Sequence, residues 1–186
     1  MPRDRINAKT KIKDPWATIN GAVKDTLEAN DSDLRLFSIM QAVNDLVIKG
    51  KFDEIYKGLI NPLKEHFKNW HEKLKNTAGD PLLTLLNDQY DKFKKYCKIF
   101  PRFYTSYDQH FKNEPNKILN TVRKLFVEVI LSDTQLFKKE VTPSIINVII
   151  NAQKGSEINL DKVKNIIQMY YSFNNANDKN ELFEDF

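Results

Sequence analysis

Apolar residues recur along this chain at spacings of three and four, which predicts amphipathic helices separated by short polar breaks. A first helix is predicted from Trp16 to about Glu28, with Trp16, Ile19, Val23 and Leu27 on one face. "ANDSD" interrupts the pattern, and Asp31 or Ser32 suits the N-cap of a second helix. That second helix lies within "DLRLFSIMQAVNDLVIKG", residues 33–50, and Gly50 ends it. Leu36, Ile39, Met40, Val43 and Val47 share one stripe of it, the ordinary core-facing side. Leu34, Phe37 and Ile48 fall a third to half a turn away, with Gln41 between them. A helix with one core-facing stripe does not need that second apolar side. Either it packs under the first helix or beneath residues 118–126, or a partner covers it.

Helical spacing restarts over residues 52–76 with Phe52, Ile55, Tyr56, Leu59, Leu63, Phe67, Trp70 and Leu74. Pro62 lacks a backbone donor, so a kink is expected there. After "NTAGDP" comes a run over 81–112, striped by Leu82, Leu85, Leu86, Tyr90, Phe93, Tyr96 and Cys97; Pro101 is expected to kink or break it. Residues 116–137 carry Ile118, Leu119, Val122, Leu125, Phe126, Val129 and Ile130. "VTPSIINVIINA" puts Pro143 early in a further helix. "QKGSEINLD" is a turn with Asn159 as a cap candidate, and "LDKVKNIIQMYYSF" is a last strong amphipathic helix. "NNANDKNELFEDF" reads as a polar loop and a stub whose Leu182, Phe183 and Phe186 need covering. Sustained strand alternation and Asn-Gly or Asp-Gly hairpin signals are missing. The fold class read from the pattern is all-α, long helices joined by short turns.

Composition narrows this further. The chain has 186 residues, 41% hydrophobic and 29% charged, with 5 Gly. That suits one helical domain with a real core, or one domain plus the start of another. No apolar run approaches the roughly 18–20 residues of a membrane span, so no membrane is expected. The start, "MPRDRINAKTKIKD", lacks the apolar segment of a secretory signal and reads as a disordered basic tail over residues 1–14. A single cysteine, Cys97, rules out an internal disulfide framework and fits a reducing compartment; cytoplasm and nucleus are expected. The net charge of +4 comes from 29 basic and 25 acidic residues that are interleaved, as on solvated helix faces. A pI near 9.0 keeps open a second reading, a basic helical nucleic-acid-binding protein, although nucleic acid is the less favoured partner.

Residues that could carry chemistry are sparse. Five scattered glycines cannot build a phosphate loop. His66 and His71 are five apart, off a common helix face, and neither they nor His110 has a completing carboxylate or cysteine set. Cys97 lies on an apolar stripe, as an inert thiol would. The aromatics follow helical spacing, as core residues do. No catalytic residue, cofactor or metal is expected, and the chain is not read as an enzyme.

The order of the segments resembles the N-terminal region of cullins, the elongated scaffolds of multisubunit ubiquitin ligases. "PWATINGAVKDTL" looks like the family's opening helix, and "LRLFSIMQAV" resembles its second-helix pattern. "FDEIYKGLINPLKEHFKNW" is similar to the third helix. In "YCKIFPRFYTSYDQHF", Tyr107, Asp108 and Phe111 stand where the family has a Tyr/Leu, an Asp and a Tyr/Trp, with Gln109 where Arg is usual. "NVIINAQKGSEINLDKVKNIIQMYY" is similar to the junction where one cullin repeat passes into the next. Gly155, Glu157, Ile158 and Ile166 align there, Lys154 falls on or beside the usual Arg, and Gln153 departs from the pattern. "RLFSIMQAV", "CKIFPRF" and "VRKL" resemble the branch that recruits Elongin B/C.

The resemblance implies a bundle of about five long helices over residues 15–156, then the start of a second repeat over 157–186. It implies a non-catalytic scaffold whose second and fifth helices bind a BTB/POZ-fold adaptor, Elongin C-like or Skp-type, with its substrate receptor. The second-helix positions map to Asp33, Leu34, Phe37 and Gln41. The fifth-helix position, usually a Tyr, maps to Arg123, with Phe126 or Lys124 beside it. Asp33, Gln41 and Arg123 replace the aromatics common in the family, which bears on which adaptor binds. A RING subunit would join only through a C-terminal domain beyond residue 186. A chain this short could otherwise serve as a decoy that sequesters adaptors.

Overall fold

Two antiparallel helices form the axis of the molecule, α3 (Phe52–Lys75) and α4 (Gly79–Phe103). In this computed structural model, residues 14–29, 35–114, 116–154 and 160–174 are described, and among them there is no strand. The aromatic spacing set in the sequence becomes the seam between α3 and α4. Trp70 stacks on Tyr96 at 5.7 Å, and Phe67 approaches both Phe93 and Tyr96. Pro62 sits inside α3 without ending it, and the helix continues on both sides. Pro101 likewise lies inside α4; the chain departs only at Tyr104, after which α5 (Thr105–His110) begins. The run over 81–112 is therefore two helices.

Two shorter helices pack across this axis. α1 (Pro15–Leu27) starts at Asp14, whose carboxylate accepts from the backbone of Trp16 and Ala17. α2 (Leu36–Ile48) buries Ile39, Ala42, Val43 and Leu46 against α1, α4 and α5. Its N-cap position is Arg35, without a side-chain cap bond; Asp31 and Ser32 lie outside the described residues. Gly50, at φ +71°, turns the chain from α2 into α3.

α6 (Lys117–Phe126) runs on through a π-helical turn, Val127–Leu131, and packs on α3 and α4. The expected helix over 116–137 is interrupted at Ser132–Asp133. The Asp133 carboxylate accepts from Gln135 and Leu136 N–H and so caps a new start, α7 (Thr134–Leu136). A second π turn, Phe137–Val141, leads into α8 (Thr142–Gln153), and Pro143 sits at the start of that helix as expected. α9 (Leu160–Asn174) returns across α4. There Asn165 Nδ2 donates to Asn87 Oδ1 at 3.2 Å, and Lys162 Nζ donates to Thr84 Oγ1 at 3.1 Å. The expected repeat boundary, the Asn159 cap and the stub with Leu182, Phe183 and Phe186 lie outside the described residues. No described helix is long and apolar enough to cross a membrane.

Candidate functional site

The second side of α2 is open. Phe37 is 79% exposed and Ile48 76%, and nothing among the described residues covers either ring or branch. Eleven residues separate them, three turns of helix to within about 20°, so both project from one side. Gln41, half-buried, and Asn44, exposed, lie between them on that side. The packing alternatives, under α1 or beneath residues 118–126, are therefore not what α2 does with Phe37 and Ile48. Asp33 and Leu34 lie outside the described residues.

On α6 the three mapped residues part ways. Phe126 is fully buried: its ring stacks on Phe93 at 4.1 Å and meets Phe67 edge-on at 5.7 Å. This corrects its assignment to the docking surface. It stands three positions beyond Arg123, which rotates it about 300° around the helix and into the core. Arg123 is half-buried beside Cys97 of α4; burial lowers its pKa, and Cys97 pulls the other way. Burial pushes the Cys97 thiol up to about 12, outweighing the opposite pull of Arg123, so the thiol is protonated and unreactive at neutral pH. Lys124 projects into solvent, 3.8 Å from Glu128.

α4 touches both mapped helices, α2 and α6. Arg123 on Cys97 fixes the level of α6 along α4. α3 and α4 run antiparallel, with Trp70 on Tyr96 and Phe67 on Phe93. Ile48, just before the turn into α3, lies toward the end of α4, where α2 meets α5. Phe37 lies three turns back along α2. α4 thus touches both mapped helices, α2 and, through Cys97, Arg123 of α6. The docking positions that the resemblance implies include no α4 residue. The signal for one was present in the sequence, as the run of cations after Asp91.

The motif at the end of α4 is structural. Tyr107 is buried against Phe52, Tyr56 and Phe111. The Asp108 carboxylate accepts from Ile118 N–H at 3.0 Å, which holds the start of α6 against α5. Burial raises its pKa, opposed by that bond and by Lys117. Lys117 in turn sits 4.0 Å above the Phe111 ring. Tyr107, Asp108 and Phe111 thus aim α6 relative to α2.

The model of the Cullin alpha solenoid domain matches residues 16–186. The chain belongs to the cullin family. No curated protein matches it. The all-α bundle is that of a cullin repeat, and the family gives the chain a cullin-type scaffold role, with adaptors and substrate receptors as partners in general. Cullin domains are generally non-catalytic.

A concavity of about 640 Å³ lies between α1 and α3, lined by Asn20, Lys24, Asn61, Glu65, His66 and Asn69 among others. Burial, with Lys92 and Lys73 adding, lowers the His66 pKa to about 4, so the ring is neutral at physiological pH. Its Nε2 lies 3.1 Å from Tyr96 Oη, which also donates to the Leu27 carbonyl at 3.3 Å. His66 therefore helps fasten the end of α1 to α4. No group of three metal-ligating side chains occurs among the described residues.

Proposed function

We propose that this cullin-family chain is a non-catalytic docking module that binds a BTB/POZ-fold adaptor, Elongin C-like or Skp-type, together with its substrate receptor. Phe37 is the central anchor. Leu34 adds to it from the sequence mapping, and Asp33, Gln41 and Arg123 form the polar rim. The resemblance of "RLFSIMQAV", "CKIFPRF" and "VRKL" favours the Elongin B/C-recruiting branch. The reading fits action in the cytoplasm and nucleus. The observation that carries it is the exposure of Phe37 on a helix whose other face is fully committed to the core. A few apolar anchors inside a polar rim are what protein interfaces use.

The test is binding of the purified chain to Elongin B/C and to a Skp-type adaptor, each with a receptor box, beside a Phe37→Asp variant. Binding by the parent chain and its loss in the variant is the expected result. Failure of both adaptors to bind a folded chain refutes the reading.

A further inference from the structure

We propose that the outer face of α4, centred on Lys98 and Arg102, is a second docking element that receives an acidic segment of the adaptor covering Phe37. This rests on the adaptor reading above and adds the chemistry of the partner.

From Lys92 to Tyr104 the chain places Lys92, Lys94, Lys95, Lys98 and Arg102 and no acidic residue. Lys94 is already paired with Asp91 at 2.6 Å. Lys92, Lys95, Lys98 and Arg102 are spaced by three, three and four, so they share one helix face, and all four are exposed. The opposite face, Phe93, Tyr96 and Phe100, is buried. No ion pair among the described residues engages Lys98 or Arg102. Like charges three and four apart weaken a helix. The helix dipole offsets this only in the last turn, where Arg102 lies. Folding alone therefore does not account for Lys98 and Arg102.

Their position does. The ridge belongs to the helix that packs on both α2 and α6, and Lys98 directly follows Cys97, beside which Arg123 sits, so a partner that reaches from Phe37 to Arg123 comes within range of it. An acidic protein segment complements both features at once. A phosphate backbone would match the ridge and leave Phe37 and Ile48 uncovered.

The experiment measures association and dissociation rates of the full chain with Elongin B/C and with a Skp-type adaptor, each with its receptor box, at about 50 mM and about 500 mM salt. Wild type, Lys98→Glu/Arg102→Glu, the milder Lys98→Gln/Arg102→Gln and Phe37→Asp are compared. At low salt, charge reversal is expected to slow association about tenfold or more, with little change in dissociation, and the Gln pair to give a smaller slowing. At high salt the variants should converge on wild type. Wild-type association and salt dependence in both ridge variants, with binding still lost in Phe37→Asp, overturns the ridge and leaves the adaptor reading standing. No adaptor binding by wild type removes both. Tight, salt-sensitive binding of single-stranded DNA that the ridge variants abolish would give the ridge to nucleic acid instead.

Discussion

Truncating Phe37 to alanine should separate docking from folding. The ring is 79% exposed, so folding removes about a fifth of it from water and leaves the rest for a partner. Full burial of a phenylalanine side chain contributes roughly 1.5–3 kcal/mol. Four-fifths of that is about 1.2–2.4 kcal/mol, a weakening of about 8- to 60-fold in Kd for the adaptor. The cost to folding should stay within about 0.5 kcal/mol, as for any surface substitution clear of caps and ion pairs. Titration calorimetry against the adaptor pair gives the first number and urea unfolding the second. An unchanged Kd together with a stability loss above about 1 kcal/mol would refute the reasoning, because the ring would then be packing inside the monomer.

Core residues should behave in the opposite way. Phe126→Ala should cost about 3–5 kcal/mol in urea unfolding, since the ring is enclosed by Phe67 and Phe93. Tyr104→Phe should leave stability unchanged or raise it by up to about 1–2 kcal/mol, read as a higher melting temperature. The Tyr104 ring is fully buried, and its hydroxyl has no hydrogen-bond partner among the described residues. His66 should make the fold acid-sensitive. Its folded pKa of about 4 lies below the ordinary value of 6.5, so between those values the unfolded chain binds more protons and stability falls as pH drops. Urea midpoints at pH 7 and pH 4.5 should diverge less in His66→Gln than in wild type.

The two-sidedness of α2 was legible because an exposed phenylalanine and isoleucine off the core stripe are visible to period counting alone. The core was legible for the same reason: Phe67, Trp70, Phe93 and Tyr96 repeat at three and four and meet across α3 and α4. The break at Ser132–Asp133 was hidden because no glycine or proline marks it. Only the capping geometry of Asp133 does, and apolar spacing continues on either side. Phe126 was misplaced because adjacency to Arg123 along the chain says nothing of the 300° rotation between them. The α4 ridge was passed over because charge runs usually mean solvent. Period counting reports which residues are exposed but not which helices flank them. That requires α4 to be seen packed on both α2 and α6.

The spacing of the two exposed residues on α2 constrains the partner. Phe37 and Ile48 are eleven residues apart, about 16 Å along the axis at 1.5 Å per residue. The polar Gln41 and Asn44 between them keep the apolar surface in two separate points. One side-chain pocket cannot enclose both. A partner that uses both must run along three turns of α2, with a pocket at each end and polar contact between. Sites so far apart that share no partner group lose binding energy additively, within about 0.5 kcal/mol. Phe37→Ala and Ile48→Ala should therefore weaken the adaptor complex independently, and the double variant should show the sum. If Ile48→Ala has no effect while Phe37→Ala does, the adaptor ends near the first turns of α2, and the end beside α5 is left open to the substrate receptor. A double variant no weaker than Phe37→Ala alone, when Ile48→Ala by itself is weakened, would mean that the two residues act through one contact and that the extended footprint is wrong.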